Sequence, residues 1–420
     1  MVSTLVIATP IEKDAAAAHA KANSIGVGLY IGGTEALPGL GNHLRESAEK
    51  RLPKPPSEAA WDFLSIALGV FSADRFVLRA NAEDGWTRVI ALDVAVFNPQ
   101  PWFSQIAKLE AALRFLTGDI WQISLRGGGA PPPKFPERLT ERDAICLFSG
   151  GLDSLLGAMK LLDDGRRPFI VSQGSPKEIQ PQDFLSQAIK LSDYRFIGRA
   201  NEHWVTPYES STRGRSIIFF AYGVLAASAH DLDELFIPEN GLIAVNPPFT
   251  PRRLGSLSTR TTHPFFLAEL EGVLRGAGIN VKLTNMFEGM TKGEMLKDCK
   301  HPDIKKLAAV SYSCGKGKRL NGQCGRCVPC LIRRASFKAS GVMDKTVYKT
   351  NIEKSKKNDD VMAARIAAAR TANASESELA RWSMRSGPLP ADSVRRKKII
   401  GAVSRGLVEL ADFLEGVKWR

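Results

Sequence analysis

The sequence predicts an α/β fold built on a doubly wound parallel sheet, and three observations carry that expectation. The apolar run Ala144-Ile145-Cys146-Leu147-Phe148 stops at Ser149-Gly150-Gly151-Leu152-Asp153-Ser154, and an amphipathic run (Leu155, Leu156, Met159, Leu162) follows at once. That order reads as a buried strand, a tight turn and a helix N-terminus. From about residue 141 strand-like and helix-like segments alternate: strands at 144–148, 169–173, 194–198 or 203–205, 234–238 and 281–284, helices at 154–163, 182–191, 214–231, 264–276 and 292–300. Such alternation argues for a parallel sheet with helices on both faces and a ligand site at the carboxyl ends of the strands. Finally, four of the six cysteines crowd between Cys314 and Cys330. A cluster of that density suggests a metal-binding module closing the α/β region.

The flanking regions are read in chain order. Residues 1–125 are expected to form an accessory α+β domain. Leu5–Ala8 and Gly26–Ile31 look like short strands, 61–71 fits a helix or a strand, and 101–116 has helical spacing. Residues 75–79 and 86–96 alternate around Asn81-Ala82-Glu83-Asp84-Gly85 and read as a β-hairpin. No chemical motif stands out here, and the Trp and Phe residues read most simply as core. Gly127 to Pro136 is a Gly/Pro linker within 126–140. The α/β domain spans 141–311, the Cys module 312–344, and a helical extension 345–420, marked by the periodic Ile399, Ile400, Val403, Leu407, Leu410 and Leu414. Residues 351–360 and 384–392 look like connectors, and no repeat of solenoid period is visible.

The 420-residue chain is long enough for two or three domains, and its 44% hydrophobic and 24% charged content is that of a soluble globular protein. A net charge of +13 invites a polyanionic partner, whether RNA, DNA, nucleotide phosphate or an acidic protein. General surface basicity, much of it near Lys354, Lys356, Lys357 and Arg395 to Lys398, accounts for it equally well. No apolar run reaches the roughly 18 residues that span a bilayer. The first residues lack a basic segment before their short apolar stretch, so a cytoplasmic location without membrane contact is expected.

Two constellations carry chemistry. In the 149–154 turn the glycines remove side chains, so backbone N–H groups can close on a ligand, and the helix dipole favours an anion. Ser149 and Ser154 add hydroxyls. The plainer alternative is an ordinary strand–helix connection capped by Asp153 or Ser154. The string is neither a Walker loop nor a dinucleotide-binding Gly-x-Gly-x-x-Gly. The second constellation is Cys314-x9-Cys324-x2-Cys327-x2-Cys330. Four thiolates at this spacing can close a tetrahedral zinc and leave no open ligand position, so a structural Zn²⁺ is expected. Cys146 and Cys299 read as core residues.

The Ser-Gly-Gly-x-Asp-Ser string resembles the PP-loop of ATP pyrophosphatases (the adenine nucleotide α-hydrolase-like fold), enzymes that split ATP between its α and β phosphates. The resemblance implies that Ser149, Gly150, Gly151, Leu152, Asp153 and Ser154 hold the leaving pyrophosphate, with Asp153 orienting the turn or helping to bind Mg²⁺. With the Cys cluster after it, the 141–340 region is similar to the 7-cyano-7-deazaguanine synthase (QueC) family. Arg213-Gly214-Arg215-Ser216, Pro238-Glu239-Asn240-Gly241 and Thr291-Lys292-Gly293-Glu294 resemble further family segments in the same order. On that resemblance Arg215 and Lys292 contact phosphates or the adenylate, and the substrate is a 7-deazaguanine-type acid. Departures occur at Ser172 to Lys177, at Ser216, where the family has Asn, in the Pro-, Arg- and Thr-rich 245–263 loop, and in the added terminal regions. Long QueC-like proteins of this type occur in anti-phage defence gene clusters, which implies a protein partner encoded nearby. Three functions follow: adenylation with transfer to a partner amine, housekeeping nitrile synthesis for tRNA modification, or a nucleotide-dependent scaffold that binds nucleic acid.

Overall fold

The computed structural model describes residues 4–200, 203, 208–209, 213–249, 260–315, 322–371 and 374–420. Two five-stranded sheets organise it, and every strand pair in both is parallel. The first contains β1 (Thr4–Thr9), β2 (Ser24–Leu29), β3 (Gly39–Leu40), β4 (Val89–Ala95) and β5 (Ile120–Arg126), in the order β3-β2-β1-β4-β5. The second contains β6 (Ala144–Leu147), β7 (Pro168–Gln173), β8 (Arg195–Gly198), β9 (Glu234–Phe236) and β10 (Lys282–Thr284), in the order β8-β7-β6-β9-β10. Counted from the first strand of each, both sheets follow one plan: three strands step out to one side, then two are added on the other. Each therefore has a switch in strand order beside its first strand, where α/β sheets open a crevice.

This corrects the expectation for the N-terminal region, which is α/β and not α+β. The proposed hairpin is absent. Arg75 lies in the long helix α3, described below, Arg79–Asn81 form a single 3₁₀ turn, and only β4 is a strand. The alternation that suggested a hairpin is real, since Ile90, Leu92 and Val94 are buried while Val89, Ala91 and Asp93 are less so. It marks a strand with one well-covered face, and β4 pairs with β1 and β5. The Asp84 carboxylate accepts the N–H groups of Trp86 and Thr87, a local Asx arrangement that replaces a hairpin turn.

The helices of the first unit are α1 (Glu12–His19), α2 (Leu44–Arg51), α3 (Glu58–Phe76), α4 (Gln100–Phe103) and α5 (Ile106–Thr117). Segment 61–71, open between helix and strand in sequence, belongs to α3. Ser57 caps α3 through the Ala60 N–H. Buried residues lie all round this helix, which removes the amphipathic period that identifies surface helices. One of its faces meets the first sheet. Another packs on α8 (Arg215–Ala229) of the second unit. A single apolar core therefore runs from Val6 and Trp61 through Phe220 to Leu283.

In the second unit the remaining helices are α6 (Leu152–Asp163), α7 (Pro176–Ala188), α9 (Gly241–Val245), α10 (Pro264–Gly276), α11 (Lys292–Asp298) and α12 (Ile304–Val310). Helix α7 starts earlier than its apolar pattern implied, because Ser175 and Glu178 form a capping box ahead of it. Of the alternative third strands, 195–198 is the one formed. His203 makes only an isolated bridge to Gly39, and residues 204–205 lie outside the described residues, as do 250–259 of the 245–263 loop. The C-terminal part comprises α13 (Val328–Ser340), α14 (Asp359–Thr371), α15 (Glu376–Ser383) and α16 (Ser393–Glu415). Ile399, Ile400, Val403, Leu407, Leu410 and Leu414 of α16 face a separate core that includes Leu242, Val245 and Leu331. Among the described residues no helix is long and apolar enough to cross a membrane.

Candidate functional site

The 149–154 turn lies at the carboxyl end of β6, beside the switch in strand order of the second sheet. Gly150 adopts φ +78°, and a Cβ there would meet Gln182 Cγ at 2.7 Å, so glycine is required twice over. Gly151 is the N-cap of α6 and carries no capping side chain. The first-turn N–H groups of Leu152, Asp153 and Ser154 have no acceptor within their own helix, which is the arrangement that receives anions. The two serine hydroxyls lie 3.2 Å apart. Ser149 Oγ accepts the Gly151 N–H (3.3 Å), and Ser154 Oγ donates to the Gly151 carbonyl (3.1 Å).

The turn is held from outside. Gln182 Nε2 donates to the carbonyls of Ser149 and Gln173, both at 3.1 Å. Gln182 is in turn fixed by the buried Arg195 guanidinium (2.8 Å), which also binds Asp183 and Ser172. On the other side, the Tyr312 N–H donates to the Gly150 carbonyl at 2.8 Å. Tyr312 is two residues before Cys314, so the turn is tied directly to the Cys module.

Asp153 does more than orient the turn. It is buried, and its Oδ1 lies 2.8 Å from Lys292 Nζ, at the start of α11. Its Oδ2 accepts Asn240 Nδ2 at 2.7 Å and the Asn240 backbone N–H at 3.3 Å. Burial opposes ionisation of this carboxyl. The Lys292 ammonium, with hydrogen bonds from Glu239, Lys292 and Asn240, overcomes it and holds the pKa at about 2. Glu239 moves the other way: burial and then the Asp153 charge push it well above the usual carboxylate range. The two carboxyls are thus pushed in opposite directions, Asp153 towards its ionised form and Glu239 towards its protonated form. Two carboxyls of opposite tuning, an ammonium and an anion-receiving helix start converge at one strand end.

Arg215, by contrast, makes no described contact with this group. It opens α8 and forms a two-point pair with Glu178 (2.9 and 3.2 Å), the residue that caps α7. It therefore sits over the 172–177 element rather than against Asp153. Gln182, Arg195 and Tyr312 were not singled out from sequence, and Glu239 and Asn240 entered only within the Pro238–Gly241 segment that stands where the QueC family has its strand-end recognition loop, with no role of their own. A polar Glu-Asn pair directly after the apolar run ending at Pro238 was the available signal for the last two.

The second constellation is compact. The sulfurs of Cys314, Cys324, Cys327 and Cys330 all lie within 4.8 Å of one another, with Cys314–Cys327 at 3.7 Å and Cys324–Cys330 at 3.9 Å. A regular tetrahedron with Zn–S bonds of about 2.3 Å has edges of about 3.8 Å, so the donor set fits zinc. The N–H of Cys324 points at Cys314 Sγ (3.3 Å) and that of Cys327 at Cys324 Sγ (3.2 Å), which favours thiolates. Gly325 turns the chain at φ +84°. The buried Arg333 braces the module through Ser311 (3.0 Å), Ser313 (3.2 Å) and Thr346 (3.0 Å).

No known protein-family profile matches the chain. Curated proteins do resemble it. The 7-cyano-7-deazaguanine synthase of Acetivibrio thermocellus is 24% identical over 234 residues, which is 49% of this chain and 98% of that protein. The synthase of Picrophilus torridus is 25% identical over 229 residues (49% and 91%), and that of Leptospira interrogans 24% over 228 residues (48% and 89%). About half of the chain is therefore similar to nearly the whole length of 7-cyano-7-deazaguanine synthases, and this supports a relationship to that family.

Proposed function

We propose that the protein adenylates a 7-deazaguanine-type carboxylate with ATP and passes the activated acyl group to an amine. The observation that carries the proposal is the pairing of Lys292 with Asp153, a residue of the Gly150–Ser154 turn itself. The turn N–H groups and the Ser149 and Ser154 hydroxyls receive the β- and γ-phosphates. A carboxylate oxygen of the substrate attacks the α-phosphorus, the bond to the bridging oxygen breaks, and pyrophosphate leaves into the turn. Lys292 offers positive charge to the α-phosphate, where charge accumulates during transfer. The amine then attacks the acyl carbon, AMP departs, and the amine proton passes to solvent. Positioning and charge supply the catalysis, and no side-chain nucleophile is needed.

Magnesium takes one or two carboxylates plus phosphate oxygens, and Asp153 is the carboxylate that would hold it; when bound, it would neutralise phosphate charge. The four cysteines would hold a structural Zn²⁺, and its place one short segment from the turn would give it a bracing role. Arg215 guards the 172–177 side, where this chain departs from the QueC family. In its length and in these departures the chain resembles QatC, the QueC-like component of the Qat anti-phage system. On that ground the acceptor amine belongs to a partner protein, in the cytoplasm.

Incubation with ATP, Mg²⁺ and 7-carboxy-7-deazaguanine, with and without proteins of neighbouring genes, tests this. AMP together with added mass on a partner is the expected result. AMP with free nitrile would assign housekeeping synthesis instead. No AMP under any of these conditions would refute the enzyme and leave a nucleotide-dependent or nucleic-acid-binding scaffold.

A further inference from the structure

The helical extension reaches the back of the candidate site. We propose that Glu409, on the last helix α16, is the positioning residue that holds Lys292 against Asp153. The inference rests on the reading that Lys292 works at an adenylating site.

Glu409 grips the two residues flanking Lys292. Thr291 Oγ1 donates to Glu409 Oε1, and the Gly293 N–H donates to Oε2 at 3.3 Å. The Thr291 hydroxyl meanwhile accepts the Glu294 N–H at 3.0 Å, and the Glu294 carboxylate accepts the Thr291 N–H at 2.9 Å. The start of α11 is thus capped from inside by its own box and from outside by α16. The approach is close enough to exclude side chains: a Cβ on Gly293 would meet Glu409 Oε1 at 2.4 Å.

The same helix supports the other half of the constellation. A Cβ on Gly241, next to Asn240, would meet Ala402 at 2.7 Å. Arg405 reaches the Gly289 carbonyl (3.0 Å) and Glu294 (3.1 Å), and Arg395 binds Glu288 at two points, both 2.8 Å. Helix α16 therefore spans Glu288, Gly289, Thr291, Gly293 and Gly241, the backbone on either side of Lys292 and Asn240. Among the described residues nothing else on α16 bonds to both neighbours of the lysine. An ammonium at the end of a flexible side chain is placed by its backbone, and Glu409 sets that backbone.

Two readouts test this on the full-length protein, one of them independent of turnover. Brief acetylation with an N-hydroxysuccinimide ester, read peptide by peptide in a mass spectrometer, reports how tightly Lys292 is held. Glu409→Ala should raise the Lys292 rate about tenfold through local opening of the 291–294 turn. Glu409→Gln, which keeps one acceptor, should lie between it and the parent protein. Ile400→Ala serves as the control, because it loosens the same helix through the apolar core without touching Thr291 or Gly293. If Ile400→Ala raises Lys292 acetylation as much as Glu409→Ala, or if neither changes it, the positioning role is refuted. In the adenylation assay Glu409→Ala should lower kcat about tenfold or more and leave the KM for ATP nearly unchanged, because a small displacement spoils alignment before binding. An unchanged kcat would overturn the proposal. A parent protein that never forms AMP would instead remove the adenylation reading, and the acetylation arm would still decide whether Glu409 holds Lys292.

Discussion

Replacing Lys292 by Met leaves Asp153 buried with hydrogen bonds from Asn240 and Glu239 but no cation beside it. In the parent protein the Asp153 carboxyl is held at about 2 against an ordinary 3.8. At 1.36 kcal/mol per unit this contributes about 2 kcal/mol. Because the folded pKa is depressed, that contribution is present above pH 3.8 and is lost as pH falls towards 2. Without Lys292 the sign reverses. A buried carboxylate lacking its cation is penalised at neutral pH and relieved as it takes up a proton, so its folded pKa rises. Breaking a buried pair from one side costs about 3–5 kcal/mol. Chemical denaturation of Lys292→Met should therefore show a loss of about that size at pH 7, which shrinks as pH falls towards 4 and the unpaired carboxylate takes up its proton. The double variant Asp153→Asn, Lys292→Met removes both charges and should recover most of the loss. A loss independent of pH, or a double variant as damaged as the two single losses added together, would refute this account.

Three further outcomes are expected. Cys327→Ser should reduce bound zinc from one per chain to near zero by elemental analysis and lower the unfolding temperature; unchanged zinc would exclude the tetrathiolate site. Gly150→Ala forces a left-handed residue, at about 1–2 kcal/mol, and displaces Gln182, so AMP formation should collapse while zinc content stays constant. Arg88→Met takes the cation from the buried Asp74 and leaves Asp119 to Arg79 alone; Arg88 binds the two at 2.5 and 2.6 Å. It should lower stability by about 3–5 kcal/mol in denaturant titration, and faster hydrogen exchange at Gly214, whose N–H rests on Asp74, should accompany it.

What could be read from the sequence was local. The 149–154 turn announces itself because glycines must follow an apolar strand there. The cysteines are recognisable from spacing alone, and α16 from its regular apolar stripe. Long-range consequences were hidden. Alternation over residues 86–96 is the same for a hairpin arm and for β4 between two parallel neighbours, so the first sheet was misread. Helix α3 shows no period because both sheets' layers cover it. The partners of Asp153 come from 86 to 139 positions away in the chain, at Glu239, Asn240 and Lys292. Local pattern cannot show that the Glu239 carboxyl is pushed upward, because the burial and the Asp153 charge that do so are supplied only by folding. Arg215 was expected from the resemblance at the phosphates, and the structure seats it on Glu178.

The shared face between α3 and α8 also has a consequence in time. During synthesis α3 is complete at Phe76, while α8 is complete only at Ala229, roughly 150 residues later. At about 5–20 residues per second, that interval is about 8–30 s. For so long the newly made chain presents the α8-facing side of α3 without its partner helix. A nascent chain with such a delay is a client for holding chaperones, and slowing translation between the two helices should lower the yield of soluble protein.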